Sequence, residues 1–245
     1  MSLPDFAQLD HRSYPLPERS WTWNQSWYDL LFAHWPVPVK GLRQHIPAEL
    51  EVDTFEGTAW IGVVPFAMRI RHRYAPPIPS ASYFPELNVR TYVKRGGKAG
   101  VWFFSLDAAS QLAVWSARTF FYLPYHHASM RSVARGERVE YRSQRTSGSA
   151  SFAANYGPTG PVFHSKPGRL EHFLTERYCL FAQSKRGQIY CGEIHHTPWD
   201  LQPAEAVIAE NSMLTAAGID QPDDTPILHF SKHLHVALWP FVSIA

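Results

Sequence analysis

Residues 58–70, TAWIGVVPFAMRI, constrain the fold of this chain more than any other segment. In an extended chain successive side chains alternate between two faces. Trp60, Val64, Phe66 and Met68 then fall on one face and Ile61 and Val63 on the other. A strand that is apolar on both faces is covered on both. A hairpin is expected here, from Leu50–Phe55 through a turn at Glu56-Gly57 into this strand. Further hairpins follow along the chain, and together they predict one closed, mainly β (α+β) domain over residues 21–245 with a few peripheral helices.

A second strand, Glu86 to Lys94, turns at Gly96-Gly97 into a third, Lys98 to Asp107. Along the second strand Leu87, Val89, Thr91 and Val93 form a packing face, while Glu86, Asn88 and Arg90 share the opposite one. A carboxylate, an amide and a guanidinium in a row face either solvent or an enclosed polar cavity. Helical spacing is expected from Ala108 to Phe120, ended by Leu123-Pro124-Tyr125. Short helices are expected at Val39–His45 and Leu170–Thr175, and a longer one from Pro203 to Ala217 stopped by Gly218. Glu176–Ala182 and Gln188–His196 pair as a hairpin, and Ile227–Trp239 is a firmly held last strand. Residues 1–20, rich in Pro and polar groups, read as a loosely held arm, and Ala75–Ser80 (APPIPS) as a loop.

With 245 residues a single domain buries enough surface to fold without metal or disulfide. The formal charge of +2, with scattered basic residues, argues against nucleic acid as a partner. The two cysteines, Cys179 and Cys191, are too few for a disulfide framework and read as buried, reduced and inert. The first residues, MSLPDFAQLDHR, lack the pattern of a signal peptide, and no apolar run is long enough to span a bilayer. A soluble, cytoplasmic protein is expected, with homo-oligomerisation left open.

Nine segments, taken in order, resemble one known family. They are LLFAHWPV (30–37), IPAEL (46–50), GTAWIGVVPFAM (57–68), PELNVRTYV (85–93), GVWFFSLDA (100–108), ARTFFYLPY (117–125), TERY (175–178), HHTPW (195–199) and HFS (229–231). Spanning about Trp21 to Trp239, they resemble the acetoacetate-decarboxylase-like superfamily and, within it, the uncharacterised YqjF-like family. The resemblance implies a closed, cone-shaped β-barrel with peripheral helices and an internal pocket. It aligns Glu86 with the pocket glutamate of the decarboxylases and Arg118 with the arginine of their Gly-Arg-Glu helix. Where those enzymes carry Pro-Lys-Lys, with the first lysine forming the Schiff base, this chain has Pro124-Tyr125-His126. Both lysines are absent, and the scaffold is expected without the decarboxylase chemistry.

Within such a barrel Glu86 and Tyr125 are the candidate catalytic residues, and Asn88, Arg90, Arg118, His126 and Trp60 the candidate substrate-binding ones. Burial of Glu86 without a partner is costly, and Arg90 on the same face is expected to share its charge. Tyr125 and His126 are neighbours on an extended segment, so only one of them enters the pocket. Of the lysines, only Lys232 has apolar surroundings in sequence. His229 and His235 lie too far apart along one strand to share a metal; neither a metal nor a cofactor is expected. There is no Ser-centred elbow, P-loop or dinucleotide fingerprint. Two functions follow. One is an enzyme, a lyase or hydrolase, that acts on a small oxo- or carboxylic acid by acid/base chemistry without an iminium. The other is a non-catalytic protein that binds an organic acid in the same pocket.

Overall fold

The computed structural model describes residues 2–76 and 82–244. In chain order its elements are β1 (Trp23–Val37), α1 (Val39–Arg43), β2 (Glu51–Val52), β3 (Ala59–His72), β4 (Tyr83–Arg95), β5 (Lys98–Ala108), α2 (Gln111–Phe120), β6 (Tyr125–Arg135), β7 (Arg138–Arg145), β8 (Ser151–Pro158), α3 (Leu170–Thr175), β9 (Cys179–Gln183), β10 (Ile189–His195), β11 (Gln202–Asn211), α4 (Met213–Ala216), β12 (Ile227–Leu238) and β13 (Val242–Ser243).

Nine strands close into a mixed barrel in the order β1, β3, β4, β5, β6, β7, β8, β11, β12 and back to β1. The pairing of β5 with β6 is parallel, and the other contacts of the ring are antiparallel. A second ring shares part of this wall. Strand β9 pairs in parallel with β5, β10 pairs with β9, and β10 meets β12 at Ile194 and His195. The strands β12, β1, β3, β4 and β5 therefore separate two compartments. This is why β3 is apolar on both faces and β4 is buried on both.

The two faces of β4 serve the two compartments. Leu87 and Val89 enter the nine-strand barrel and pack in one apolar cluster with Tyr141, Phe152, Tyr156 and Phe230. On the other face Phe84 joins Val64, Phe66, Met68, Val101 and Phe103 in a second cluster. Strand β1 changes phase at Asp29, whose φ is 53° and where its register against β3 shifts. Because of that bulge, Gln25 and Trp27 before it and Leu30 and Phe32 after it all face the second compartment. Asp29 also forms an ion pair with Lys232 at 2.5 Å on the outside.

Several expectations are corrected. Of the helix expected from Pro203 to Ala217 only Met213–Ala216 is helical; residues 202–211 form a strand whose burial alternates residue by residue from 202 to 209. Ala204, Ala206 and Ile208 pack inward and Glu205 and Val207 are exposed, so period two wins over the helix-forming Ala/Glu composition. The predicted hairpin from Leu50 does not form. Strand β2 pairs with β4, and only a Phe55–Thr58 bridge links the arms of the turn. The N-terminal arm is tied down: Arg12 Nη1 donates to Ile194 O at 2.8 Å, His11 Nε2 lies 2.8 Å from His196 O, and Phe6 stacks on His195. Most of the expected 75–80 loop lies outside the described residues. Cys179 and Cys191 are free and buried. Among the described residues, no helix is long and apolar enough to cross a membrane.

Candidate functional site

The second compartment holds a cavity of about 150 Å³. A cavity near this size accepts a molecule about as large as benzene. Its walls are β1, β3, β4 and β5 on one side and β9, β10 and α2 on the other. The rows of the wall follow from strand register. Phe84 lies beside Met68, which faces Trp27; Glu86 lies beside Phe66; Asn88 beside Val64; and Arg90 beside Gly62, which faces His34. Reading β4 from Phe84 to Arg90 therefore runs from an aromatic row to a charged one. Gly62 is required at the charged end, because a Cβ there would meet the His34 ring at 2.7 Å.

Glu86 is 3% exposed. Burial pushes its carboxyl up to about 8, against smaller downward effects of hydrogen bonds from Tyr125 and Asn88. Tyr125 donates to Glu86 Oε2 at 2.9 Å. Burial and then the adjacent carboxylate push the Tyr125 phenol well above its ordinary value, so it stays a donor. The Asn88 amide oxygen has no protein partner.

Arg90 is also buried. It donates from Nη2 to Leu174 O at 3.1 Å, and its guanidinium lies over Phe32 and Tyr92. Its Nε–H has no partner. The expectation that Arg90 shares the charge of Glu86 fails. The two are four residues apart, about 13 Å along the strand, and no ion pair joins Arg90 to any carboxylate among the described residues. Glu86 meets its burial as a neutral acid, and Arg90 keeps an unmatched positive charge.

Tyr125 faces the cavity and His126 does not. His126 pairs directly with Asp107, which lies on the barrel side in an ion pair with Arg145. Burial, and after it the Arg145 charge, lowers the His126 pKa. Arg118 is exposed. The helical period turns Ala113, Ser116 and Ala117 into the cavity and sends Arg118 outward, to a surface groove with Trp115 and His127. Trp60 is buried, but it sits in the row beyond Arg90 and lies outside the cavity lining. Among the seven proposed site residues, Glu86, Asn88, Arg90 and Tyr125 come together around one space, and Arg118, His126 and Trp60 do not.

The sequence reading missed three polar or ring-bearing contributors. Arg177 lines the cavity between Tyr92 and Phe173, with its charge matched by Asp53 at 2.6 Å. His196 also lines it. Burial lowers its pKa to about 3, and its Nδ1–H donates to Thr197 O at 2.7 Å, which leaves Nε2 as an acceptor. Trp199 stacks on Trp27 at 5.7 Å. The TERY and HHTPW segments were the available signal, but their side-chain directions depend on the parallel β5–β9 contact. None of the six lysines lines the cavity, and Lys232 lies outside on Asp29. Among the described residues no cluster of three or more His, Cys, Asp or Glu is placed to hold a metal.

Comparison with known proteins agrees with this architecture. Across its whole length the chain superposes on the enduracididine biosynthesis enzyme MppR complexed with pyruvate, with a TM-score of 0.70 at 10% identity, covering 100% of this chain and 99% of that one. An acetoacetate decarboxylase-like enzyme from Sphingomonas wittichii RW1 matches with a TM-score of 0.64 at 12% identity, over 93% and 94% of the two chains. At such identities the likeness establishes the fold. In sequence the chain is 46% identical over 235 residues to the uncharacterized protein YqjF of Bacillus subtilis (strain 168), covering 95% of this chain and 97% of that one. The model of the DUF2071 family, described as an uncharacterized conserved protein, matches residues 24–235. The chain belongs to the DUF2071 family, a YqjF-like branch of the acetoacetate-decarboxylase-like fold.

Proposed function

We propose that the cavity binds a small oxo- or carboxylic acid and acts on it by proton transfer, without a covalent iminium. The observation that carries this reading is a buried Glu86, whose carboxyl burial pushes up to about 8, and an Arg90 without a carboxylate partner, both lining one cavity. Arg90 offers its free Nε–H to a ligand carboxylate, and a guanidinium is well suited to that partner. Tyr125 donates into Oε2 and Asn88 also bonds the carboxyl, and in its protonated form Glu86 offers a proton to a carbonyl or leaving group. A value of about 8 lies close to neutral pH, where a general acid or base works best. His196 Nε2 is a further acceptor in the wall. A lysine-free lining supports chemistry without a Schiff base, because no amine is present to condense with a carbonyl. The solved neighbour MppR is complexed with pyruvate, which supports an oxo acid as the ligand class.

The test is thermal shift and turnover with pyruvate, acetoacetate and small lactones at pH 7. At least one acid should raise the melting temperature of the wild type, and Arg90→Met should remove that shift. Glu86→Gln should retain binding and lose turnover. Binding without turnover of any of these compounds would favour the non-catalytic binding protein. Borohydride added with acetoacetate or pyruvate should leave the mass unchanged; a lysine adduct would overturn the iminium-free reading.

A further inference from the structure

Among the described residues that line the cavity, most hydrogen-bond donors are already engaged, while acceptors are left over. Tyr125 donates to Glu86 Oε2, Trp27 Nε1 to Gln25 Oε1 and Trp199 Nε1 to Thr175 O. The Thr175 and Ser116 hydroxyls donate to the carbonyls of Glu171 and Ala113. The acceptors are different. Asn88 bonds the Glu86 carboxyl through its amide N–H, and its Oδ1 is buried without a partner. His196 keeps Nε2 as an acceptor, because its Nδ1–H is held by Thr197 O and burial keeps the ring neutral. A buried acceptor is costly unless something donates to it. A ligand that fills this space therefore has to bring an O–H or N–H of its own.

A keto oxygen and a carboxylate only accept. An oxo acid finds the Arg90 Nε–H and the proton of neutral Glu86, and it leaves Asn88 Oδ1 unmet. A hydroxyl in place of the keto group still accepts from Glu86 and also donates to Asn88. We infer that the ligand is a small hydroxy acid, with its carboxylate on Arg90 and its hydroxyl on Asn88 Oδ1. This rests on the proposed function for the acid end and narrows the second polar group from an oxo to a hydroxyl. Asn88 and Arg90 are next to each other on one face of β4, about 7 Å apart along the strand, so the acid need not reach further along the wall. A cavity of about 150 Å³ suits an acid of three or four carbons.

Two ligand pairs isolate the hydroxyl, because each differs only in keto against hydroxyl: pyruvate against lactate, and acetoacetate against 3-hydroxybutyrate. Each enantiomer of the hydroxy acids is titrated separately. Calorimetry on the wild type at pH 7 should give a Kd at least about tenfold tighter for the better enantiomer of one hydroxy acid than for its oxo partner. Asn88→Leu should bring that ratio towards one, and Arg90→Met should weaken both members together. A wild-type ratio below about tenfold in both pairs, or tighter binding of the oxo acids, overturns the inference and leaves the acid-binding site in place. This readout needs no variant to fold. A ratio that persists in Asn88→Leu overturns the placement of the hydroxyl. If lactamide, which is neutral, binds as tightly as lactate and ignores Arg90→Met, the acid reading falls and the hydroxyl site stands. Binding of none of these compounds overturns both.

Discussion

The two compartments on either side of the shared wall both bury charge, and they treat it in opposite ways. Inside the nine-strand barrel Asp107 and Arg145 meet through three hydrogen bonds of 2.8–3.0 Å. Around them Tyr141, Phe152 and Tyr156 fill the space. In the second compartment Glu86 and Arg90 face one cavity from one strand and stay apart. The acid there is kept neutral by burial and the base is left without a carboxylate. The same wall supports both arrangements, so the fold is able to pair buried charges. Where it leaves them unpaired, it also leaves room for a third group to complete them.

The largest effect that tests this contrast is on the paired side. Asp107→Ala strands the Arg145 guanidinium in the barrel interior, and removing one partner of a buried pair costs about 3–5 kcal/mol. Glu86→Gln replaces a neutral acid by a neutral amide of similar shape, and at pH 7 it should change stability by less than about 1 kcal/mol. Urea unfolding of both variants measures the difference. If Glu86→Gln proves as damaging as Asp107→Ala, Glu86 is a charged, paired group in the folded protein and the contrast is wrong.

A smaller effect appears in the pH dependence. The Glu86 carboxyl is raised from 4.5 to about 8 in the folded state, so the folded protein holds a proton that the unfolded chain releases. Its contribution to stability is full below about 4.5, declines as pH rises through the window to about 8, and is level above that. The slope inside the window is at most about 1.4 kcal/mol per pH unit. Buried histidines act in the opposite sense at the acid end. His196, lowered to about 3, loses stability for the fold as pH falls below 6.5. Subtracting the Glu86→Gln profile from the wild-type profile isolates the Glu86 contribution between pH 5 and 8. A flat difference across that window would mean that the carboxyl titrates normally.

The paired side was less legible in sequence than the unpaired one, and the reason is range. Period two along residues 86–93 was enough to put Glu86, Asn88 and Arg90 on one face, because alternation is local. The Gly96-Gly97 turn was equally local, with φ of 56° and 78° that favour glycine. Asp107 and Arg145 lie 38 residues apart, and their meeting depends on the β5–β6 and β6–β7 pairings. Arg177, His196 and Trp199 enter the cavity only because β9 docks in parallel on β5, and no local pattern states that. The bulge at Asp29 broke the alternation that would have placed Trp27 and Phe32 on opposite faces. Arg118 was carried over by family alignment, but the helix turns it outward. Strand β11 was lost to composition, because its Ala and Glu residues favour a helix when burial is unknown.

The smallest effect concerns the hydrogen bond between Tyr125 and Glu86. Tyr125→Phe removes a donor to Oε2 and leaves the ring in place. A neutral hydrogen bond of this kind contributes about 1 kcal/mol, so the loss of stability at pH 7 should be of that size. The direction of the pKa change is the sharper readout. The Tyr125 hydrogen bond favours the ionised form of Glu86 and pulls its pKa down against burial. Its loss should therefore move the carboxyl still higher, which carbon-detected NMR of the glutamate side chain resolves as a titration shifted to higher pH. A Glu86 titration that moves downward in Tyr125→Phe would mean that water enters and solvates the carboxylate. The second compartment would then be wet at Glu86, and its neutral acid would be a property of the intact Tyr125 contact rather than of burial.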